Sequence, residues 1–218
     1  MNPKTFIFDL DGVIVDTAKY HFLAWQNLAN QLEIKFMHKD NEQLKGVSRV
    51  QSLELILKLG NKTLSEAEKQ NYLAQKNEEY LSYINQMNET EILPDVVRVL
   101  EFLNENKQKI VLGSASKNAK IILDKVNLTV FFDAIVDGNS VSKAKPNPEV
   151  FITGAKQMQT EAKNCIVFED AIAGIQAANA AQMTSIGIGS KDVLTEAQYC
   201  FTDFTKISNE FLQELINK

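Results

Sequence analysis

Short apolar runs of strand length recur along the chain at 5–10, 110–113, 131–136, 165–168 and 184–188. Between the later runs the apolar residues switch to helical spacing: Val96, Val99, Leu100 and Leu103, then Ile121, Ile122 and Val126, then Val150, Phe151 and Ala155. Strands rich in Val, Ile and Phe that alternate with helices predict a parallel sheet covered on both faces, because each crossover helix must lie against the sheet. Two of those helices carry start signals: Ser116 stands where an N-cap would, and Asn147 precedes Pro148 at an expected first helical position.

The alternation breaks between Asp16 and Asn88. That stretch holds three helical patterns, at 17–33, 48–60 and 64–86, and no convincing strand. A loop at 37–47 separates the first two, and Gly60-Asn61-Lys62 separates the others. The expected class is therefore α/β: a Rossmann-like parallel sheet core built from 1–15 and 89–218, with an inserted all-helical cap domain at 16–88. Neither an internal repeat nor a low-complexity tract is present.

A chain of 218 residues is long enough to bury a proper core without a disulfide or metal staple. Its 23 Lys plus Arg against 28 Asp plus Glu leave a net charge of −5, which argues against nucleic acid and anionic membranes as partners. Only Arg49 and Arg98 are arginines, so any phosphate must be met by locally placed cations or by a metal. Asp9 and Asp11 interrupt the first apolar run before it reaches signal-peptide length, and no later run is long enough to span a bilayer. Cys165 and Cys200 sit in short apolar runs, as free thiols do, which fits a cytoplasmic address. No association face is evident, and a monomer is expected.

In open α/β sheets, ligands bind outside the carboxyl ends of the strands. Asp9 and Asp11 of Asp9-Leu10-Asp11-Gly12-Val13 point the same way from an extended chain, and two crowded carboxylates need a cation or a shared proton. An ordinary turn is the alternative. An EF-hand is excluded, because Ile14 and Tyr20 occupy the positions where it needs Gly and Glu. Ser114 ends the second run beside a helix start, where phosphates are held. Ser116 and Lys117, taken alone, read as a cap and a solvated charge. Lys145 is followed by the stiff Pro146-Asn147-Pro148, which would fix its base. Glu169 and Asp170 end the fourth run, and Asp170 could also cap the next helix. Carboxylates in this number suit Mg²⁺ completed by a substrate phosphate. Together these groups fit phosphoryl transfer.

Asp9-Leu10-Asp11-Gly12-Val13, Ser114, Lys145-Pro146 and Glu169-Asp170 resemble, in order and spacing, the four motifs of the haloacid dehalogenase superfamily of phosphotransferases. The resemblance implies Asp9 as nucleophile and Asp11 as general acid and base. It implies Mg²⁺ held by Asp9, Glu169, Asp170 and the backbone carbonyl of Asp11, with Ser114, the Ala115 N–H and Lys145 on the transferring phosphoryl group. The helical block resembles that family's mobile cap. Its residues Thr17, His21, Trp25, Leu44-Lys45-Gly46-Val47-Ser48-Arg49 and Lys76-Asn77, with Ser114-Ala115-Ser116-Lys117-Asn118, resemble the family's hexose-phosphate mutases.

That likeness implies a small phosphosugar substrate, with β-glucose 1-phosphate and glucose 6-phosphate interconverted through an aspartyl phosphate and glucose 1,6-bisphosphate. Arg49, Ser116, Lys117 and Asn118 would grip the second phosphate, with Lys45, Gly46, Val47, Ser48 and Ser52 beside the substrate. Thr17 and His21 would orient Asp11 when the cap closes, and Lys76 would assist. Trp25 lies on a helical core stripe and reads as packing before sugar contact. Ala171 departs from the family, where many relatives carry Ser. The alternatives are a sugar-phosphate phosphatase of the same family and a phosphate-accepting receiver-like module; the helical insertion argues against the latter.

Overall fold

The computed structural model describes residues 3–218. Its sheet is formed by β1 (Thr5–Phe8), β2 (Lys109–Gly113), β3 (Ala134–Val136), β4 (Cys165–Glu169), β5 (Thr184–Ile188) and β6 (Tyr199–Phe201). Every pairing is parallel and the order is β3-β2-β1-β4-β5-β6. The chain builds outward from β1 through β2 to β3, then returns to place β4 on the other side of β1. Such a reversal opens a crevice at the carboxyl ends of the two central strands, here β1 and β4.

Alternation along β1 explains why it is apolar throughout. Phe6 and Phe8 join one core cluster with Leu100, Leu103 and Leu212, while Ile7 joins another with Phe151, Val167 and Ala178. Apart from Val167, which is on β4, these partners lie on α5 (Val96–Glu105), α9 (Asn209–Asn217), α7 (Glu149–Gln157) and α8 (Ile172–Ala180), so helices cover both faces. Phe8 stacks on Phe168 of β4 with ring centroids 4.7 Å apart. Arg98 is structural: it donates to the carbonyls of Phe204 and Ile207 at 3.1 and 2.8 Å and ties α5 to the carboxyl-terminal segment.

Between β1 and α5 the described residues form four α-helices, α1 (Ala18–Gln31), α2 (His38–Asn41), α3 (Arg49–Leu59) and α4 (Glu66–Ile84), and no strand of the sheet. Ser48 and Ser65 cap α3 and α4, each accepting the N–H three residues on. This block has an apolar core of its own, with Phe22, Trp25, Leu28, Leu53, Ile56 and Leu73. The two passes of chain that join it to the sheet pair with each other through Val15 and Ile92, with Asp16 N–H donating to Glu91 O at 2.9 Å and Leu93 N–H to Ile14 O at 3.0 Å.

Several local expectations are corrected. The loop at 37–47 contains α2 and a 3-10 turn at Glu42–Leu44. The apolar run at 131–136 divides into a 3-10 turn, Thr129–Phe131, and the short β3. Strand β6 is additional, a half-buried edge of three residues too short to show an alternation. The helix α6 (Ala119–Lys125) begins after Asn118, so Ser116 is not its N-cap; its Oγ accepts the Asn118 N–H at 3.2 Å. Pro148, not Asn147, is the N-cap residue of α7, and the Asn147 side chain accepts the Glu149 N–H at 3.1 Å from one position upstream. Ala171, not Asp170, precedes α8 as its cap, which frees the Asp170 carboxylate for the crevice. Cys165 and Cys200 are both free. No helix among the described residues is long and apolar enough to cross a membrane.

Phe8 is 0 % exposed and its ring carries the contact between β1 and β4. Phe8→Ala should lower the free energy of unfolding by about 3–5 kcal/mol in urea denaturation, the usual cost of emptying a buried aromatic site.

Candidate active site

Backbone pairing brings the strand ends together. The Asp9 N–H donates to Phe168 O at 3.0 Å, and the Ser114 N–H to Val136 O at 3.0 Å, so the residues after β1, β2 and β4 emerge side by side. Lys145 Nζ reaches in from the loop after β3 to Asp9 Oδ1 at 2.6 Å and Glu169 Oε1 at 2.5 Å. The second Glu169 oxygen accepts the Ala171 N–H at 2.8 Å. Two glycines permit this crowding. A side chain at Gly12, whose φ is +80°, would collide with the Asp170 carboxylate, and one at Gly174 with that of Glu169.

One carboxylate oxygen each from Asp9, Glu169 and Asp170 lie within 4.8 Å of one another. Burial pushes the Asp9 carboxyl well above its usual range, the charges of Glu169, Asp11 and Asp170 push it further, and Lys145 opposes them. Burial and the Glu169 charge lift Asp170 to about 7, although Lys45 stands 3.5 Å away. Burial alone would lower Lys145, but Asp9 and Glu169 carry it above its ordinary value. Three oxygen donors and one lysine leave the cluster short of positive charge. An all-carboxylate set with that deficit fits Mg²⁺, and the nitrogen and sulfur donors that zinc prefers are absent from it. The Asp11 carboxylate is not in the set.

Asp11 faces the helical block instead. The Thr17 hydroxyl donates to Asp11 Oδ1, and His21 Nε2 lies 3.7 Å from the same oxygen. Burial would raise Asp11, yet these two partners hold it below its usual value. Lys76 Nζ lies 3.0 Å from His21 Nδ1 and over the rings of Trp25 and Tyr80, at 4.5 and 4.6 Å. Burial, then the nearby Arg49 charge, lower Lys76 to about 7, and burial with Lys76 lowers His21.

All these groups border one cavity of about 660 Å³ between the sheet and the helical block. Of the residues named from sequence, Asp9, Asp11, His21, Trp25, Lys45, Gly46, Val47, Ser48, Arg49, Ser52, Lys76, Ser114, Ala115, Ser116, Lys117, Asn118 and Asp170 line it. Thr17, Lys145 and Glu169 stand directly behind its wall, at 0, 1 and 0 % exposure. Trp25 both packs in the helical core and borders the cavity. Leu44 and Asn77, from the runs likened to the mutases, line it too, and so do Asn41, Tyr80, Gly138 and the segment from Val141 to Ala144, which were not anticipated as site residues. The Asn118 side-chain amide donates to Asn77 Oδ1 at 3.0 Å across the two blocks.

Residues 3–182 match the family model described as haloacid dehalogenase-like hydrolase. The chain is 40 % identical over 213 residues to beta-phosphoglucomutase of Bacillus subtilis, covering 97 % of this chain and 94 % of that one. It is 30 % identical to fructose-1-phosphate phosphatase YqaB of Escherichia coli, over 84 % of this chain and 94 % of the relative. Among solved structures, the beta-phosphoglucomutase of Clostridium difficile superposes with a TM-score of 0.94 at 42 % identity, covering 99 % of this chain and 97 % of that one.

Lys76 is buried as a cation at a cost that has a defined pH window. Below about 7 it is charged in both folded and unfolded chains and the penalty is complete; between about 7 and its ordinary value of 10.5 only the unfolded chain keeps the proton, so stability rises with pH. Lys76→Met should therefore be more stable than the parent at pH 6, with the difference shrinking towards pH 10, as measured by denaturant unfolding at each pH.

Proposed function

Because the chain belongs to the haloacid dehalogenase-like hydrolase family, whose matched relatives are phosphoryl-handling enzymes, we propose that it interconverts β-D-glucose 1-phosphate and glucose 6-phosphate. The observation that carries this reading is one cavity bordered at two places by groups suited to phosphate: Asp9 and Ser114, with Lys145 directly behind, at one, and Arg49 with Ser116, Lys117 and Asn118 at another. A phosphatase needs only the first set. A mutase passes through a bisphosphate and needs both, and the planar guanidinium of Arg49 suits a non-transferring phosphate.

In this proposal an Asp9 oxygen attacks phosphorus as the bond to the sugar oxygen breaks, leaving an aspartyl phosphate. Asp11 gives its proton to the departing oxygen, and later accepts one from the hydroxyl that attacks the aspartyl phosphate. Thr17 and His21 hold the Asp11 carboxylate for both steps. Ser114, the Ala115 N–H and Lys145 steady the phosphoryl oxygens. Asp9, Glu169, Asp170 and the Asp11 carbonyl would hold Mg²⁺, which when bound supplies the positive charge that the carboxylates and phosphoryl group lack. Glucose 1,6-bisphosphate serves as intermediate and activator. Residues 16–88 act as a cap on a core of 1–15 and 89–218, turning at the paired strands of Val15 and Ile92 to exclude water while the sugar reorients. The protein is proposed to act as a monomer in the cytoplasm.

With Mg²⁺ and a trace of glucose 1,6-bisphosphate, the β anomer of glucose 1-phosphate should yield glucose 6-phosphate in a coupled assay, and the α anomer should not. Rapid release of inorganic phosphate without glucose 6-phosphate would favour the phosphatase reading, which the Escherichia coli relative represents. In the same assay Asp9→Asn should abolish turnover, and substantial residual activity would remove the covalent route.

A further inference from the structure

Tyr80 lies on α4 at 1 % exposure, and its Oη is a buried polar atom with no hydrogen-bond partner among the described residues. The ring itself is fully employed. It stacks on the His21 imidazole with centroids 4.2 Å apart, and Lys76 Nζ lies 4.6 Å from its centroid. A phenylalanine would keep both contacts and spare the protein a dehydrated, unpaired hydroxyl. Ring packing therefore accounts for an aromatic residue here and leaves the oxygen unexplained.

The surroundings of that oxygen narrow its use. Thr17 is 0 % exposed and gives its one hydroxyl hydrogen to Asp11, so its Oγ retains acceptor capacity that bulk water does not reach. Thr17 opens α1 and Tyr80 sits on α4, and these two helices pack along each other. Burial, then the Asp11 charge, hold the phenol well above its ordinary value, while the Thr17 side chain, close to the phenol without meeting hydrogen-bond geometry, acts in the opposite sense. At neutral pH the group is an intact O–H donor beside an acceptor that has none.

We propose that Tyr80 is a positioning residue for Asp11, its hydroxyl donating to Thr17 Oγ as the cavity closes on substrate. The chain then runs from Tyr80 O–H to Thr17 Oγ, and from Thr17 O–H to Asp11 Oδ1, fixing the carboxylate that serves the reacting oxygens. No bond to hydrogen is broken between Tyr80 and Thr17; only the phenol hydrogen turns. The inference rests on the proposed role of Asp11 in phosphoryl transfer.

The test compares Tyr80→Phe with the parent enzyme in the Mg²⁺ assay, following glucose 6-phosphate and inorganic phosphate together, with melting temperatures recorded without substrate. The expected result is a kcat about tenfold lower, the rate equivalent of one neutral hydrogen bond. KM should stay within about twofold, since substrate binding is untouched, and the melting temperature should not fall. In a Thr17→Val background the same substitution should have almost no further effect on kcat, because Tyr80 acts through Thr17. An unchanged kcat, a loss accompanied by a lower melting temperature, or a loss that persists in full in the Thr17→Val background overturns the proposal. A parent enzyme that forms no glucose 6-phosphate fails the mutase reading instead. The variants are then compared in phosphate release, where Asp11 serves the same leaving oxygen.

Discussion

Lys145 places its ammonium between Asp9 and Glu169, 2.6 and 2.5 Å from one oxygen of each, where none of the three residues is more than 5 % exposed. Charges held this far from water are tolerated only when each has a partner, and removing one partner typically costs about 3–5 kcal/mol. The triad therefore joins stability to chemistry. It pins the ends of β1 and β4 to the loop after β3, and it does so with the oxygen atom of Asp9 opposite the one left for other work. It also leaves a deficit, since Asp170 adds a third carboxylate to a cluster with a single buried lysine. A divalent cation and a phosphoryl group complete such a site in opposite senses, one by adding positive charge and the other by drawing on it.

The helical block mirrors this arrangement with the other sign. Arg49, Lys76 and His21 crowd the facing side of the cavity, where burial, and after it the neighbouring positive charge, lowers both Lys76 and His21. Arg49 and Lys76, held together against their own repulsion, are suited to an anionic guest. Polar contacts join the two halves across the cavity: Lys45 lies 3.5 Å from Asp170, and Asn77 pairs with Asn118 at 3.0 Å. Gly46 also comes down against Ala171, where a side chain on Gly46 would stand 3.0 Å from the Ala171 methyl. A serine at 171 would add a hydroxyl to that contact; its absence here leaves the approach apolar. The net charge of −5 thus says nothing of the local order around the cavity, where carboxylates gather at the strand ends and Lys45, Arg49 and Lys76 face them from the helical block.

The strand ends were the most legible part of the chain. An apolar run that stops at Asp9, or at Glu169, announces both a buried strand and a charged group at its carboxyl edge, because a strand covered on both faces is a near-continuous apolar run that disfavours a charge in its middle. Helix starts were less legible. Ser116 and Asn147 do accept backbone N–H groups, but from one or two positions outside the helix, and turn chemistry of that kind looks the same in sequence as a cap. The edge strand β6 was hidden by its length. Lys76 was visible only through likeness to relatives, since its neighbours Gln75 and Asn77 are polar and nothing local marks it as 3 % exposed. Tyr80 was concealed differently: with Leu73 and Ile84 it forms an ordinary buried helical stripe, and a phenol oxygen without a partner is a fact of three-dimensional packing.

The claim on which the rest depends is that Asp9, held by Lys145, is the atom that receives phosphorus. Identifying the phosphorylated residue by mass spectrometry, after rapid acid quench of the Mg²⁺-loaded enzyme with a phosphoryl donor, addresses it directly. The account requires the phosphoryl group on the peptide that carries Asp9, and on the Asp9 side chain within it. A phosphoryl group on Ser114 or Asp11, or turnover with no phosphorylated enzyme at any quench time, would contradict it.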